Sequence, residues 1–131
     1  MSNTPQKTVA VVGASSDRSK YGNKSVRAHL RQGYQVFPIN PKGETIEGLP
    51  SYRSVAAIPV EQLDRITVYV APQIGIGLLE QYAAKKPAEV WFNPGSESDA
   101  LLQRAEELGL PLIAACSIVD LGAMPSEFAD K

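Results

Sequence analysis

The sequence predicts an α/β fold: a Rossmann-like doubly wound parallel sheet of about five strands, with helices on both faces, in a single domain. Five short runs rich in Val, Ile and aromatic residues alternate with segments whose apolar residues recur at helical spacing. The chain has 131 residues, a common size for one domain. Its composition of 44% apolar and 21% charged residues is that of an ordinary globular protein.

The strand predictions rest on apolar runs that end at Gly, Pro or a charged residue. Because parallel strands are covered on both faces, they read as continuous apolar runs and not as an alternation with polar residues. The five predicted strands are 8–13 (TVAVVG), 34–39 (YQVFPI), 66–71 (ITVYVA), 89–93 (EVWFN) and 111–116 (PLIAAC).

Helical spacing predicts crossover helices over 22–32, 73–86 and 97–109, with Gly33 and Gly109 as left-handed caps just past two of them. Ser96 or Glu97 is expected to open the third helix. The remaining part, 40–64, is less regular. A short turn or strand near 45–52 and a short helix around 54–58 are expected there. Residues 1–6 and 123–131 are predicted to be terminal tails around a domain of residues 7–122.

Several function classes are disfavoured by composition. The net charge of −1 and the lack of a dense basic run argue against nucleic-acid binding. No apolar run is long enough to span a membrane, and the N-terminal MSNTPQKT has no apolar core for export, so a cytoplasmic protein is expected. Cys116 and His29, each the only residue of its type, cannot furnish a structural zinc site, and no metal is predicted.

The stretch VAVVGASSDRSKYGNK, from Val9 to Lys24, predicts an anion site after the first strand. Gly13 lets the backbone turn tightly, and the positive dipole end of a helix that begins near Gly22 favours a phosphate. The motif is neither a P-loop nor G-x-G-x-x-G, so the usual NAD fingerprint is missing. Side chains that could assist are those of Ser15, Ser16, Arg18 and Lys20.

The end of the second strand discriminates further between nucleotides. An NAD site usually places Asp or Glu there, whereas this chain has Asn40, Pro41 and Lys42. Asn40 can hydrogen-bond a ribose, and Lys42 can meet a phosphate on it. This fits the 3′-phospho-ADP part of coenzyme A or the 2′-phospho-ADP part of NADP.

With these motifs in order, the sequence resembles the CoA-binding domain family. The resemblance runs from about Lys7 to Gly122 through VAVVGAS, KYGNKSV, LRQGYQVFPINPKGETIEGLPSYRS, VYVAP, EVWFNPGSES and ACSIVD. The chain looks like the small stand-alone bacterial members and, more distantly, like the N-terminal domain of the succinyl-CoA synthetase α subunit. The resemblance implies a Rossmann-like fold and CoA-binding residues at Gly13, Ala14, Ser15, Ser16, Lys20, Tyr21, Asn40, Pro41, Lys42, Ala71 and Pro72.

Four further candidates follow the later strands. Asn93, Pro94 and Gly95 either line the pocket near the pantetheine end or form only a turn. Cys116 is expected to be a packed core thiol, with disulfide exchange with the CoA thiol as the alternative. Many stand-alone members have a Gln before the glycine after the fourth strand, where this chain has Asn93-Pro94-Gly95. They also have a Cys-Pro pair near the last strand, where this chain has Cys116-Ser117. His29 is expected to pack or to face solvent, and Tyr69 and Trp91 fit core strand positions better than an adenine-stacking role.

The resemblance implies binding and not catalysis, since the synthetase works through a histidine on another domain and a nucleotide-grasp subunit. The predicted function is therefore that of a non-catalytic protein that binds CoA or acyl-CoA as a carrier, sensor or accessory subunit. A homo-oligomer or an acyl-CoA enzyme partner is compatible with it. Two alternatives stay open: an NADP(H)-dependent oxidoreductase or nicotinamide-responsive domain, and a scaffold with a vestigial pocket.

Overall fold

A computed structural model describes residues 6–131 as one five-stranded parallel sheet. Residues 1–5, most of the predicted N-terminal tail, lie outside the described residues. The strands are β1 (Thr8–Val12), β2 (Gln35–Ile39), β3 (Arg65–Val68), β4 (Glu89–Phe92) and β5 (Leu112–Ile113). Their order across the sheet is β2-β1-β3-β4-β5, so the direction of winding reverses between β1 and β3. The predicted fold class is confirmed.

Within residues 6–131, five α-helices and three 3₁₀ turns lie between the strands or follow the last of them. The helices are α1 (Tyr21–Arg31), α2 (Pro72–Gly75), α3 (Leu79–Ala84), α4 (Asp99–Glu107) and α5 (Ser117–Asp120), and the 3₁₀ turns are Val55–Ala57, Ile76–Leu78 and Pro125–Glu127. The predicted helix over 73–86 is therefore broken into α2, a 3₁₀ turn and α3. Among the described residues, no helix is long and apolar enough to cross a membrane.

Each face of the sheet buries its own apolar cluster. Alternate strand residues such as Val12, Ile66 and Phe92 pack against α3 and α4 on one face. The residues between them, such as Val11, pack with Val26 of α1 on the other face. This is the two-sided burial that the continuous apolar runs predict.

The C-terminal segment packs on α1. Phe128 is only 5% exposed and lies against Ala28 and Ile118, with the Arg31 guanidinium 4.3 Å from the centre of its ring. Lys24 Nζ lies 2.7 Å from a carboxylate oxygen of Asp130. Residues 123–131, expected from their polarity to be a surface tail, are held in place because one aromatic ring among them is buried.

A buried polar cluster lies between α1, β3 and α5. His29 is fully buried, and its Nδ1 lies 2.8 Å from the Ser25 carbonyl oxygen. Burial lowers the pKa of His29 to about 4, so its imidazole is neutral at pH 7. The Arg65 guanidinium lies 3.4 Å from His29 Nε2 and pairs with Glu89 at 3.1 Å and Asp120 at 2.7 Å. Of the two positions expected for His29, packed or facing solvent, the structure shows the packed one.

The two edge strands are short or partly covered. The predicted strand 111–116 is reduced to the two residues of β5. At the other edge, β2 contains Pro38, whose carbonyl accepts the Tyr52 N–H at 2.9 Å, while the Asn40 N–H donates to the Tyr52 carbonyl at 2.9 Å. This parallel bridge pins the segment after residue 45 against the end of β2.

Candidate functional site

The carboxyl ends of β1, β2 and β3 surround an apolar cavity of about 290 Å³. It lies at the reversal of strand order, where open parallel sheets bind their ligands. The loops after all three strands contribute to its wall. The lining residues are Val12, Gly13, Ile39, Pro41, Arg53, Val70, Ile74 and Leu78.

Residues 13–20, here called the glycine loop, join β1 to α1. Gly13 has a positive φ of 88°, and the N–H groups of Gly13 and Ala14 donate to the Ile39 carbonyl at 3.3 and 3.2 Å. A Cβ on Gly22 would lie 2.1 Å from the Gly13 carbonyl oxygen. Only glycine at position 22 allows this approach, which brings the start of α1 directly against the loop.

The N-terminus of α1 has no acidic residue of its own. The capping residue is Lys20, its side chain makes no capping hydrogen bond, and the first turn contains no acidic residue. The helix itself therefore does not offset the positive end of its dipole, and the carboxylate next to its first turn is that of Glu47, which accepts Asn23 Nδ2 at 3.1 Å. Lys20 and Tyr21 are both exposed beside it, with Tyr21 61% exposed. This end of the site is suited to an anion.

Short-range hydrogen bonds fix the shape of the glycine loop. Ser15 Oγ accepts the Asp17 N–H at 3.0 Å, and the Ser15 carbonyl accepts Asn23 Nδ2 at 2.9 Å. The Asp17 carboxylate accepts both the hydroxyl, at 2.6 Å, and the N–H of Ser19, and these bonds lower the pKa of Asp17. The loop is thus held without a ligand, while the Ser15 hydroxyl keeps its own proton to donate.

Two carboxylates that sequence reasoning missed lie over the glycine loop. Glu44 Oε1 is 3.4 Å from the Ser16 amide nitrogen and 3.2 Å from Asn40 Nδ2. Glu47 Oε2 lies 3.3 Å from Arg18 Nε. The residues directly after β2 lack a carboxylate, but the chain turns back and supplies one four residues later. An anion that binds the Ser16 amide therefore competes with Glu44.

At the end of β2, Asn40 and Lys42 have different roles. Asn40 is buried, its Nδ2 donates to the Ala14 carbonyl at 2.9 Å, and its Oδ1 accepts the Lys42 N–H at 2.7 Å. The Asn40 side chain thus ties the glycine loop to the turn after β2. Lys42 is exposed and has no salt-bridge partner among residues 6–131. Pro41 lines the cavity.

The predicted pair Ala71 and Pro72 begins α2 at the same edge. Ala71 is the capping residue and Pro72 the first residue of the helix. Their neighbours Val70 and Ile74 face the cavity, and Ile74 is 59% exposed. The structure therefore brings the glycine loop, the turn after β2 and the start of α2 together, as predicted.

The side chain of Asn93 is fully hydrogen-bonded within the fold. It is 2% exposed, and its Nδ2 donates to Thr67 Oγ1 at 2.7 Å and to the Val68 carbonyl at 2.9 Å. Its Oδ1 accepts the Ser117 N–H at 2.8 Å, and the Ser117 hydroxyl contacts that of Tyr69 at 3.1 Å. This network joins β3, β4 and α5 and leaves the Asn93 side chain no spare group for a ligand.

Cys116 lies outside the main cavity. It precedes α5, is half-buried, and lines a second cavity of about 170 Å³ with Tyr21, Pro94 and Pro125. Cys116 does not end a buried strand as expected, because β5 stops at Ile113, but it still packs, half-buried, against the apolar cluster that contains Ile118 and Phe128. Pro94 and Gly95 are exposed at this rim.

Comparison with known proteins gives consistent matches. A family described as CoA binding domain matches residues 7–122. The α subunit of acetate–CoA ligase [ADP-forming] II from Pyrococcus furiosus is 42% identical over 55 residues, which are 40% of this chain and 12% of that protein. This chain thus spans about an eighth of that relative.

Solved structures agree with this. A conserved hypothetical protein from Pyrococcus furiosus superposes with a TM-score of 0.77 at 33% identity, over 88% of this chain and 98% of that one. A second match is the dinucleotide forming acetyl-coenzyme A synthetase 1 of Ca. Korarchaeum cryptofilum, in complex with phosphate and ADP. It superposes with a TM-score of 0.71 at 27% identity, over 83% of this chain and 25% of that one. The expectation of a bacterial member is not borne out, because these relatives are archaeal.

Proposed function

This chain belongs to the CoA-binding domain family, and from that premise we propose that it binds coenzyme A or an acyl-CoA at the carboxyl edge of its sheet. The observation that carries the proposal is the start of α1, which has no acidic residue in its first turn and is held against the glycine loop by Gly22. In the proposed complex the diphosphate lies at this loop. The phosphorylated ribose lies near Asn40 and Lys42, and the pantetheine arm runs toward Pro94 and Cys116.

The apolar cavity supports the adenine end of this arrangement. Its volume of about 290 Å³ is close to the lower end of ordinary small-ligand pockets. Seven of its eight lining residues are apolar or glycine, which suits a flat heterocycle. The NADP alternative finds no support in the relatives, which are CoA-related.

We further propose that the chain acts as a carrier, sensor or accessory subunit and does not itself catalyse a reaction. Its single histidine, His29, is fully buried on α1 and is not available to a ligand. The matched relative from Pyrococcus furiosus is a subunit of an acetate–CoA ligase, which favours an acyl-CoA enzyme as the partner. Residues 7–122 are proposed as the binding domain.

The thermal midpoint of the purified protein with millimolar CoA, NADPH or NADH in parallel tests the proposal. A ligand at 100 times its dissociation constant adds roughly 2.7 kcal/mol, which is several degrees for a domain of this size. Stabilisation by CoA alone is expected. Stabilisation by NADPH alone would contradict the proposal, and no shift with any of the three would favour a scaffold with a vestigial pocket.

Lys42→Ala examines the predicted ribose-phosphate contact. A charge-assisted contact contributes about 1.5–3 kcal/mol, so CoA binding is expected to weaken by that amount while dephospho-CoA, which lacks the 3′-phosphate, is little affected. Titration calorimetry with both ligands measures the difference. An equal loss for the two ligands would mean that Lys42 does not contact the 3′-phosphate.

A further inference from the structure

Arg53 is the one charged residue on the wall of the apolar cavity. It lies in the irregular segment after β2, where sequence reasoning singled out no site residue. We infer that Arg53 is a second cation, beside Lys42, that recognises the 3′-phosphate of CoA and so determines the preference for CoA over dephospho-CoA. This inference rests on the proposed CoA-binding function and names the feature of the ligand that the site selects.

The backbone fixes where Arg53 stands. The parallel bridge between Ile39 and Tyr52 holds residue 53 next to the end of β2. On the other side, an added Cβ on Gly43 would lie 3.5 Å from Arg53 Nε. The arginine side chain therefore extends over the turn that carries Lys42. Two separate segments thus bring a positive charge to the same corner of the site.

The hydrogen-bond pattern singles out this arginine. The guanidinium groups of the other five arginines are each held by a carboxylate or a backbone carbonyl, as in the Arg65–Asp120 pair at 2.7 Å. Among residues 6–131, no hydrogen bond or ion pair is made by the side chain of Arg53. It is also exposed. Its five donors are therefore available to a ligand without breaking an existing contact.

The chemistry of the group fits a phosphate monoester. A guanidinium presents a planar fork that binds two phosphate oxygens at once, whereas an ammonium acts as a point charge. Arg53 and Lys42 together can offset the charge of close to −2 that a phosphate monoester carries near pH 7. Glu44, two residues after Lys42, lies against Ser16 and Asn40 instead, and Glu47 pairs with Arg18.

The test measures binding of CoA and dephospho-CoA by calorimetry to the wild type, Arg53→Gln and Arg53→Lys. Arg104→Gln is the control, because Arg104 is a half-exposed arginine on α4, outside the cavity, that pairs with Glu80 and Glu107. Arg53→Gln is expected to weaken CoA binding by about tenfold or more, the contribution of a charge-assisted hydrogen bond, and to leave dephospho-CoA binding unchanged. Arg53→Lys is expected to recover part of the loss, and Arg104→Gln to change neither ligand.

A loss of affinity that is equal for both ligands, or no loss for CoA, overturns the assignment to the 3′-phosphate. If the wild type binds neither ligand, the proposed CoA-binding function itself has failed, which is a different result from a wild type that binds both. Thermal midpoints without ligand check the fold. They are expected to be the same for wild type and Arg53→Gln, because the side chain is exposed and makes no polar contact.

Discussion

Gly22 is the residue on which the geometry of the site depends most directly. Its Cα approaches the Gly13 carbonyl so closely that a methyl group would overlap that backbone oxygen. A backbone atom cannot rotate away as a flexible side chain can, so the loop or the helix would have to move.

Gly22→Ala is therefore expected to destabilise the fold by about 1–3 kcal/mol or more, the usual range for overpacking, and to weaken CoA binding. Urea unfolding measures the first effect and calorimetry the second. Gly77→Ala is the matched control, because a Cβ at Gly77 meets nothing within 4 Å and its φ is not positive. If both variants unfold at the same urea concentration as the wild type, the close approach has no energetic significance.

Among single residues, the sequence predicted positions better than it predicted free hydrogen-bonding groups. Lys42 and Gly13 lie where the motif implies. Asn40 and Asn93 also lie at the strand ends, but both side chains are already hydrogen-bonded to other parts of the fold. Each of these amides donates a hydrogen bond to a backbone carbonyl that lies 25 or 26 positions away in sequence. No local sequence pattern reveals such a contact. Arg53 was missed because its place at the cavity depends on the bridge between Ile39 and Tyr52, which no local pattern reveals either.

At the scale of elements, the contact between the C-terminal segment and α1 is the main departure from expectation. The segment contributes one buried ring and the small Ala123 side chain, while most of its other residues are exposed. Two buried side chains five positions apart show neither helical nor strand periodicity, so sequence patterns do not distinguish an anchored segment from a free tail. The long amphipathic helices α1 and α4 were predicted within two residues at each end, since their spacing repeats over several turns.

Phe128→Ala is expected to reduce the free energy of unfolding by about 3 kcal/mol, at the lower end for loss of a buried aromatic ring, because the ring packs in a small satellite cluster. Chemical denaturation measures the change. Met124→Ala serves as the control: Met124 belongs to the same segment but is 55% exposed, so it should change stability by no more than about 0.5 kcal/mol. Equal effects of the two substitutions would contradict the anchoring role of the ring.

Over the whole molecule, burial of the single histidine couples stability to pH. The folded-state pKa of His29, about 4, lies below the ordinary value of 6.5. The unfolded chain therefore takes up a proton between those values while the folded protein does not. The contribution of neutral, buried His29 to the free energy of unfolding is complete above pH 6.5 and is lost as the pH falls toward 4.

Lowering the pH from 7 to 5 is expected to cost about 2 kcal/mol of unfolding free energy through this group. Urea unfolding at both pH values, for wild type and His29→Gln, isolates the effect, because glutamine cannot titrate but can still donate to the Ser25 carbonyl. In His29→Gln, the difference in unfolding free energy between pH 7 and pH 5 should be smaller than in the wild type by that amount. An unchanged difference would assign the acid sensitivity to carboxylates instead.

Both margins of the sheet are poor templates for another strand. β5 offers only two residues, and β2 carries Pro38 while its last residues are already bridged by Tyr52. Edges that are short, interrupted or covered resist the strand addition that starts fibril growth. A concentrated solution of the folded protein should therefore resist β-rich aggregation through its edges, so that any self-association it shows would have to use side-chain surfaces.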